Sequence, residues 1–319
     1  MATEPTIAAL NAALNVAPGA RQTWAVRLFA AIPDYWALTK PEVNFLILIT
    51  TFAGFYLGYP SRVNGFSSAL LIRTLLSTLL GTLLVAGGTA TLNQFIERRF
   101  DAQMRRTARR PLAAGKLNPA GALCFGILLS AAGAFYLAVA VNRLASLLAV
   151  LTLASYLFIY TPLKRKTPLC VAIGAFPGAM PPLIGWAAAR GRLDPEAWVL
   201  FAMVFLWQFP HFMAIAWMYR EDYSHAGYLV LPKGDRREPF VFRQSFVVSL
   251  SLIPLSLIPA ITGESGVVYS AGALLAGFIF SYYGARFAFC RSNVAARQLL
   301  SASIVYLPAV FILMMLDKK

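Results

Sequence analysis

The sequence predicts an all-α integral membrane protein, a single bundle of nine transmembrane helices around a central intramembrane chamber. Three observations carry that expectation. Of the 319 residues, 59% are hydrophobic and only 13% are charged, a balance too apolar for the core of a soluble domain. The apolar residues gather into runs of about 17 to 25, each long enough to cross a hydrocarbon layer of roughly 30 Å. Positive charge collects in alternate loops, as it does in a chain that crosses the bilayer repeatedly.

Residues 1–35 carry Glu4 early, little positive charge and no compact apolar stretch followed by a cleavage site. They read as a mobile or interfacial arm rather than a secretory signal or transit peptide, with Trp24, Tyr35 and Trp36 suited to headgroup level. The apolar runs then fall at 42–59, 73–95, 119–141, 143–161, 168–189, 196–218, 244–262, 266–286 and 299–316, and residues 36–319 read as one membrane domain. Cys124, Cys170 and Cys290 lie far apart in or beside these runs, at no metal-ligand spacing, and read as thiols within the bilayer.

A net charge of +15 would suit nucleic acid in a soluble protein, but here its distribution reports topology. Of the 28 Lys and Arg residues, all but Arg62, Arg73, Arg143, Arg190, Arg192, Lys318 and Lys319 fall on the arm or in the loops after the second, fourth, sixth and eighth runs. That face is expected in the cytoplasm, and an odd number of crossings puts the C-terminus on the other side.

The stretch leaving the second run reads NQFIERRFDAQMRRTARRP. Asn93, Glu97 and Asp101 are spaced by four, which stacks them on one helical face. Such oxygen donors suit a hard cation such as Mg²⁺, which commonly shares a substrate phosphate. Behind them come Arg105, Arg106, Arg109 and Arg110, before the stop signals Pro111 and Gly115. A guanidinium fork matches phosphate. The same spacing equally allows Glu97 and Asp101 to pair with neighbouring arginines on a solvated helix end, and the residues alone leave both readings open.

Two further clusters fall on the same face. In YTPLKRKTP, Pro162 and Pro168 bracket Lys164, Arg165 and Lys166 at the membrane surface, a phosphate grip or an anchor to anionic lipid. The sixth run ends WQFPHFMAIAWMYREDYSHAGYLVLP, with Gln208 and His211 around Pro210, and with Arg220, Glu221, Asp222, Tyr223 and His225 in the loop beyond. Polar groups within a span are costly unless paired or facing a cavity. His211 reads either as a packing histidine bonded across helices or as a contact to a buried, cofactor-like substrate. The fifth run holds Gly174, Pro177, Gly178, Pro181, Pro182 and Gly185, a density of helix breakers that predicts a hollow centre beside it.

Together these features resemble the UbiA superfamily of membrane prenyltransferases, whose two acid-rich loops hold Mg²⁺ and an isoprenyl diphosphate. The strings NQFIERRFDAQMRRTARRPLAAGKL, YTPLKRKTP, GAMPPLIGW and WQFPHFMAIAWMYREDYSHAGYLVLP further resemble its haem-farnesylating branch, over most of residues 36–316. Glu97 stands where many members carry Asp, a longer carboxylate of the same ligand type. The resemblance implies transfer of a farnesyl group from farnesyl diphosphate to a vinyl group of haem B, with addition of water, giving haem O and diphosphate. It implies Asn93, Glu97, Asp101 and Asp222 as catalytic ligands of Mg²⁺, and Arg106, Arg109, Lys164 and Arg165 as diphosphate ligands. It also implies His211 as the haem contact. The setting it implies is the lipid bilayer of a bacterial inner membrane, with haem A synthase or terminal-oxidase assembly proteins as partners and no nucleic acid. Three alternatives stand beside it: a prenyltransferase acting on a quinone or chlorophyll precursor, a polytopic transporter with its ion site at Asn93 and Asp101, and a non-catalytic haem-binding subunit.

Overall fold

The computed structural model describes residues 24–59, 68–232, 234 and 237–319. Most of the expected N-terminal arm, residues 1–23, lies outside them. Its last part forms α1 (Trp24–Leu38), whose final residue is buried with Leu112, Leu117 and Ala122. There follow α2 (Pro41–Gly58), α3 (Ser68–Asp101), α4 (Pro119–Ala140), α5 (Arg143–Leu163) and α6 (Cys170–Arg190). The rest of the chain forms α7 (Pro195–Met218), the short α8 (Arg220–His225), α9 (Arg237–Ile261), α10 (Val267–Cys290) and α11 (Asn293–Leu316). Among the described residues nine helices, all of these except α1 and α8, are long and apolar enough to cross a membrane.

Every predicted run is found, but several helices outlast their apolar stretch. Helix α9 begins at Arg237 rather than 244, and α11 at Asn293 rather than 299. Backbone hydrogen bonding continues through charged residues once a cap is in place, so hydropathy marks the lipid-facing part of a helix and not its ends. The Ser292 hydroxyl accepts from Ala295 N at 3.2 Å and starts α11 early. Asn118 and Asn142 cap α4 and α5 in the same way, each accepting a backbone N–H at 2.8 Å.

Helices α2 to α6 form one packed group, and α7 with α9, α10 and α11 forms a second. The groups meet where α6 lies against α7 and α2 against α11. The most enclosed span is α6, nearly three-quarters of which is buried. Its glycines and prolines, expected beside a hollow centre, let two helices touch backbone to backbone. A Cβ on Gly54 of α2 would lie 2.1 Å from Pro182 O, and one on Gly185 would lie 2.0 Å from Thr51 O. Only glycine admits that approach.

In α5 the segment Ser155–Tyr160 winds as a π-helix, a local widening often found at functional sites. Thr161 and Lys164 follow it directly in the chain. The outer surface carries Phe135, Val139, Phe158, Val267 and Phe289 exposed, as a lipid-facing surface requires. Cavities of about 180 Å³ open at both ends of the bundle.

Candidate active site

The last turns of α3 carry Asn93, Glu97 and Asp101 almost completely buried, between 1% and 5% exposed. Buried carboxylates need partners, because desolvation penalises the charged form. Lys164 Nζ lies 2.9 and 3.1 Å from the two oxygens of Glu97. The Arg110 guanidinium donates to both oxygens of Asp101 at 2.9 and 2.8 Å. The solvated helix end allowed by the sequence is therefore not what forms: the acids sit in dry ion pairs.

Arg110 reaches Asp101 because the arginine-rich stretch folds into turns. The Thr107 hydroxyl donates to the Asp101 carbonyl at 2.8 Å, Met104 is buried beneath, and Gly115 closes the stretch at φ 71°. Asn93 is oriented from across the site. The Thr161 hydroxyl gives its proton to Tyr156 O at 2.8 Å, so its oxygen accepts from Asn93 Nδ2 at 3.2 Å. The amide then keeps its carbonyl oxygen as the acceptor.

A third cation faces the acids. Lys40, at the start of α2, adopts a left-handed backbone (φ 52°) and is half-buried. Burial, then the charges of Arg110 and Lys164, push its amine down to about 7, against the opposing pull of Glu97 and Asp101. Lys164 behaves differently: burial disfavours its charge, but Tyr160 and Glu97 hold its ammonium well above the ordinary range. Its Nζ also sits 4.6 Å from the Tyr160 ring centre. Tyr228 buries its hydroxyl beside the Glu97 carboxylate. Burial first, and then the Glu97 charge, resist its ionisation.

The loop clusters converge on this end. Leu229 N donates to Lys164 O at 2.7 Å, tying the segment after α8 to the YTPLKRKTP loop. Phe100 lies between Tyr228, ring centres 6.0 Å apart, and the Arg165 guanidinium, 4.3 Å above it. Arg106 rests over Tyr219 at 5.4 Å. Arg106, Arg109 and Arg165 are exposed at the rim, and Asp222 is half-buried on α8. A cavity lined by Arg220, Tyr223, Ser224 and Tyr228 opens beside it. Among the described residues no three Asp, Glu, His or Cys side chains form a ready metal site, so Asp222 does not join Glu97 and Asp101 in one.

His211 stands apart from the acids, within α7. Its Nδ1 is 2.8 Å from Ser303 Oγ of α11, and its ring stacks on Trp207 with centres 4.7 Å apart. Gln208 turns the other way, donating to Ala175 O of α6 at 3.0 Å.

Sequence reasoning put the acid row and Lys164 in one site and counted Arg110 among the phosphate-matching arginines without singling it out; it missed Lys40 and Tyr228. Arg109 and Arg110 are indistinguishable in a run of arginines until the Thr107 turn is known. Lys40 carried one usable signal, a cation against Pro41 at the mouth of a span. The donor set is made of oxygen, with cations around it, and so fits a magnesium diphosphate rather than a soft metal.

The family model of the UbiA prenyltransferases matches residues 47–311. The protoheme IX farnesyltransferase of Solibacter usitatus is 50% identical over 287 residues, covering 89% of this chain and 98% of that protein. The protein of the same name from Koribacter versatilis is 42% identical over 292 residues, covering 89% and 93%. Among solved structures, a digeranylgeranylglyceryl phosphate synthase aligns with a TM-score of 0.72 at 17% identity, over 90% of this chain and 98% of that one. A UbiA homologue from Archaeoglobus fulgidus bound to GPP and Mg²⁺ aligns with a TM-score of 0.59 at 17% identity, over 88% and 99%. These last two likenesses concern the fold.

Proposed function

The chain belongs to the UbiA prenyltransferase family, and on that premise we propose that it transfers a farnesyl group from farnesyl diphosphate to a vinyl group of haem B. The observation that carries the transfer is the buried row Asn93–Glu97–Asp101 facing Lys164 and Arg110 at the end of a membrane span. The acceptor rests on the protoheme farnesyltransferases to which the chain is similar. The basic face is the cytoplasmic one, in a bacterial inner membrane, and residues 36–319 work as one domain.

Asn93, Glu97 and Asp101 are the residues that would hold Mg²⁺, and Asp222 of α8, not grouped with them in this structure, would be the further ligand recruited when the diphosphate binds. The ion would neutralise charge building on the departing diphosphate. Each inner cation then changes partner. Lys164 and Arg110 leave the carboxylates for the diphosphate oxygens, lysine as a point charge and arginine as a fork. Arg106, Arg109 and Arg165, already steadied on Tyr219 and Phe100 or free at the rim, close on the diphosphate from outside. Because these residues hold the leaving group, the allylic C–O bond breaks with its electron pair going to diphosphate. The haem vinyl group supplies the electron pair for the new C–C bond, which leaves a cation on the carbon next to the macrocycle; water adds there and gives up one proton to solvent, leaving the hydroxyl. The apolar interior serves by keeping bulk water from the first cation. His211 is the haem contact.

Expression in a cell lacking haem O, followed by extraction and mass analysis of its haems, tests the assignment. Haem O should appear with the native chain. Labelled farnesyl diphosphate that marks 4-hydroxybenzoate and leaves haem unlabelled would overturn the acceptor.

A further inference from the structure

The pair His211 and Ser303 has a hydrogen-bond pattern that fixes which ring nitrogen carries the proton. Ser303 is fully buried, and its hydroxyl donates to Leu300 O one turn back along α11 at 2.6 Å. A hydroxyl has one proton. Once that proton is given to Leu300 O, Ser303 Oγ can only accept from His211, so Nδ1 is the protonated nitrogen at 2.8 Å. Nε2 is left with its lone pair, and among the described residues no group bonds it.

The ring is held in orientation as well as in tautomer. Trp207 Nε1 donates to Ser303 O at 2.8 Å, and the Trp207 ring lies against the imidazole with an interplanar angle of 27°. At about 100° per residue, His211 lies about 40° round α7 from Trp207, towards Gln208 at about 100°. Trp207 faces α11 and Gln208 faces α6. The imidazole is thus directed to the seam between those two helices, where the halves of the bundle meet and α2 borders both. It is half-buried there.

We infer that Ser303 and Trp207 are positioning residues that lock His211 as the Nδ1–H tautomer and present Nε2 to the iron of haem B. A histidine that ligates a metal characteristically donates its other ring N–H to a fixed acceptor, which sets its orientation and raises its basicity. This inference rests on the haem reading of the preceding section and adds the device by which the contact is made.

The purified full chain is titrated with haem B and its Soret band recorded, alongside KM for farnesyl diphosphate. The native chain should give the band of a histidine-ligated haem, and His211→Ala should lose it until free imidazole is added. Ser303→Ala should shift the band and weaken haem binding by about 10- to 100-fold, with KM for farnesyl diphosphate unchanged. Ser303→Thr, which keeps the hydroxyl, should restore both. Native affinity and spectrum in Ser303→Ala, with the band lost in His211→Ala, would overturn the positioning role and leave the haem contact standing. An unchanged band in His211→Ala would overturn the iron contact and this inference with it. A native chain that takes up no haem would overturn the acceptor itself.

Discussion

Both ends of the bundle bring acids and bases together, but only one does so in the dry. At the basic end Glu97 and Lys164 are 7% and 14% exposed, and Asp101 and Arg110 are 2% and 23% exposed. At the opposite end Asp194 binds Arg192 at 2.8 Å, with the arginine 70% exposed, and Arg190 at 3.6 Å. The wet cluster ties the α6–α7 turn together, helped by Trp186 Nε1, which donates to Asp194 at 3.2 Å. Exposed pairs of this kind contribute roughly 0–1 kcal/mol each. Dry pairs rarely stabilise a fold better than apolar residues of the same size. Two such pairs with a third cation beside them are accounted for by the proposed function, in which they bind the diphosphate and its ion.

The comparison is broken most directly by removing one charge at each end. Asp101→Asn should lower turnover by at least about 100-fold, since it removes an oxygen donor and the anchor of Arg110, while folded protein persists in the membrane. Asp194→Asn should leave turnover within about 2-fold of native, in keeping with an exposed pair. Equal losses would end the distinction. Next in size is Lys164→Met, which removes the ion-pair partner of Glu97. It should lower stability by about 3–5 kcal/mol, read as an earlier melting transition in detergent, in addition to abolishing turnover. Chelation by EDTA should stop product formation in the native chain and Mg²⁺ should restore it, with no change in melting of comparable size.

The dry site was only half legible in the sequence. The nine spans were readable because hydropathy is a local property, and the acid row because a period of four survives any tertiary arrangement. Which cation meets which acid was not readable. Arg110 rather than Arg109 faces Asp101 only because Thr107 turns the chain back on the Asp101 carbonyl. Lys40 arrives from the start of α2, far from the acids in sequence. The glycines of α6 were only partly legible for a related reason: helix breakers are demanded both by a cavity and by close contact, and the contact needs Gly54 and Pro182 to be known together.

Lys40 offers a smaller test that sharpens the contrast. Its folded pKa of about 7 lies below the ordinary 10.5 of a lysine. Between those values the unfolded chain binds the extra proton, so stability rises with pH across that window. The burden of burying the charge is carried in full below pH 7. Native protein should therefore melt higher at pH 9 than at pH 6.5, and Lys40→Met should flatten the difference. An identical slope in the variant would remove Lys40 from the dry cluster.

The smallest effect belongs to a pair on the basic end itself. Arg291 and Glu238 lie 3.3 Å apart at 60% and 51% exposure, linking the end of α10 to the start of α9. They share the face of the bundle with Glu97 and Asp101 but not the surroundings, so they separate position from burial. If burial is what marks the functional charges, Glu238→Gln should change stability by less than about 1 kcal/mol and leave turnover at the native level. A loss approaching that of Asp101→Asn would mean that the whole basic face, and not its dry centre, takes part in the reaction. The measurement is a side-by-side rate of farnesyl transfer by the two variants at equal folded protein.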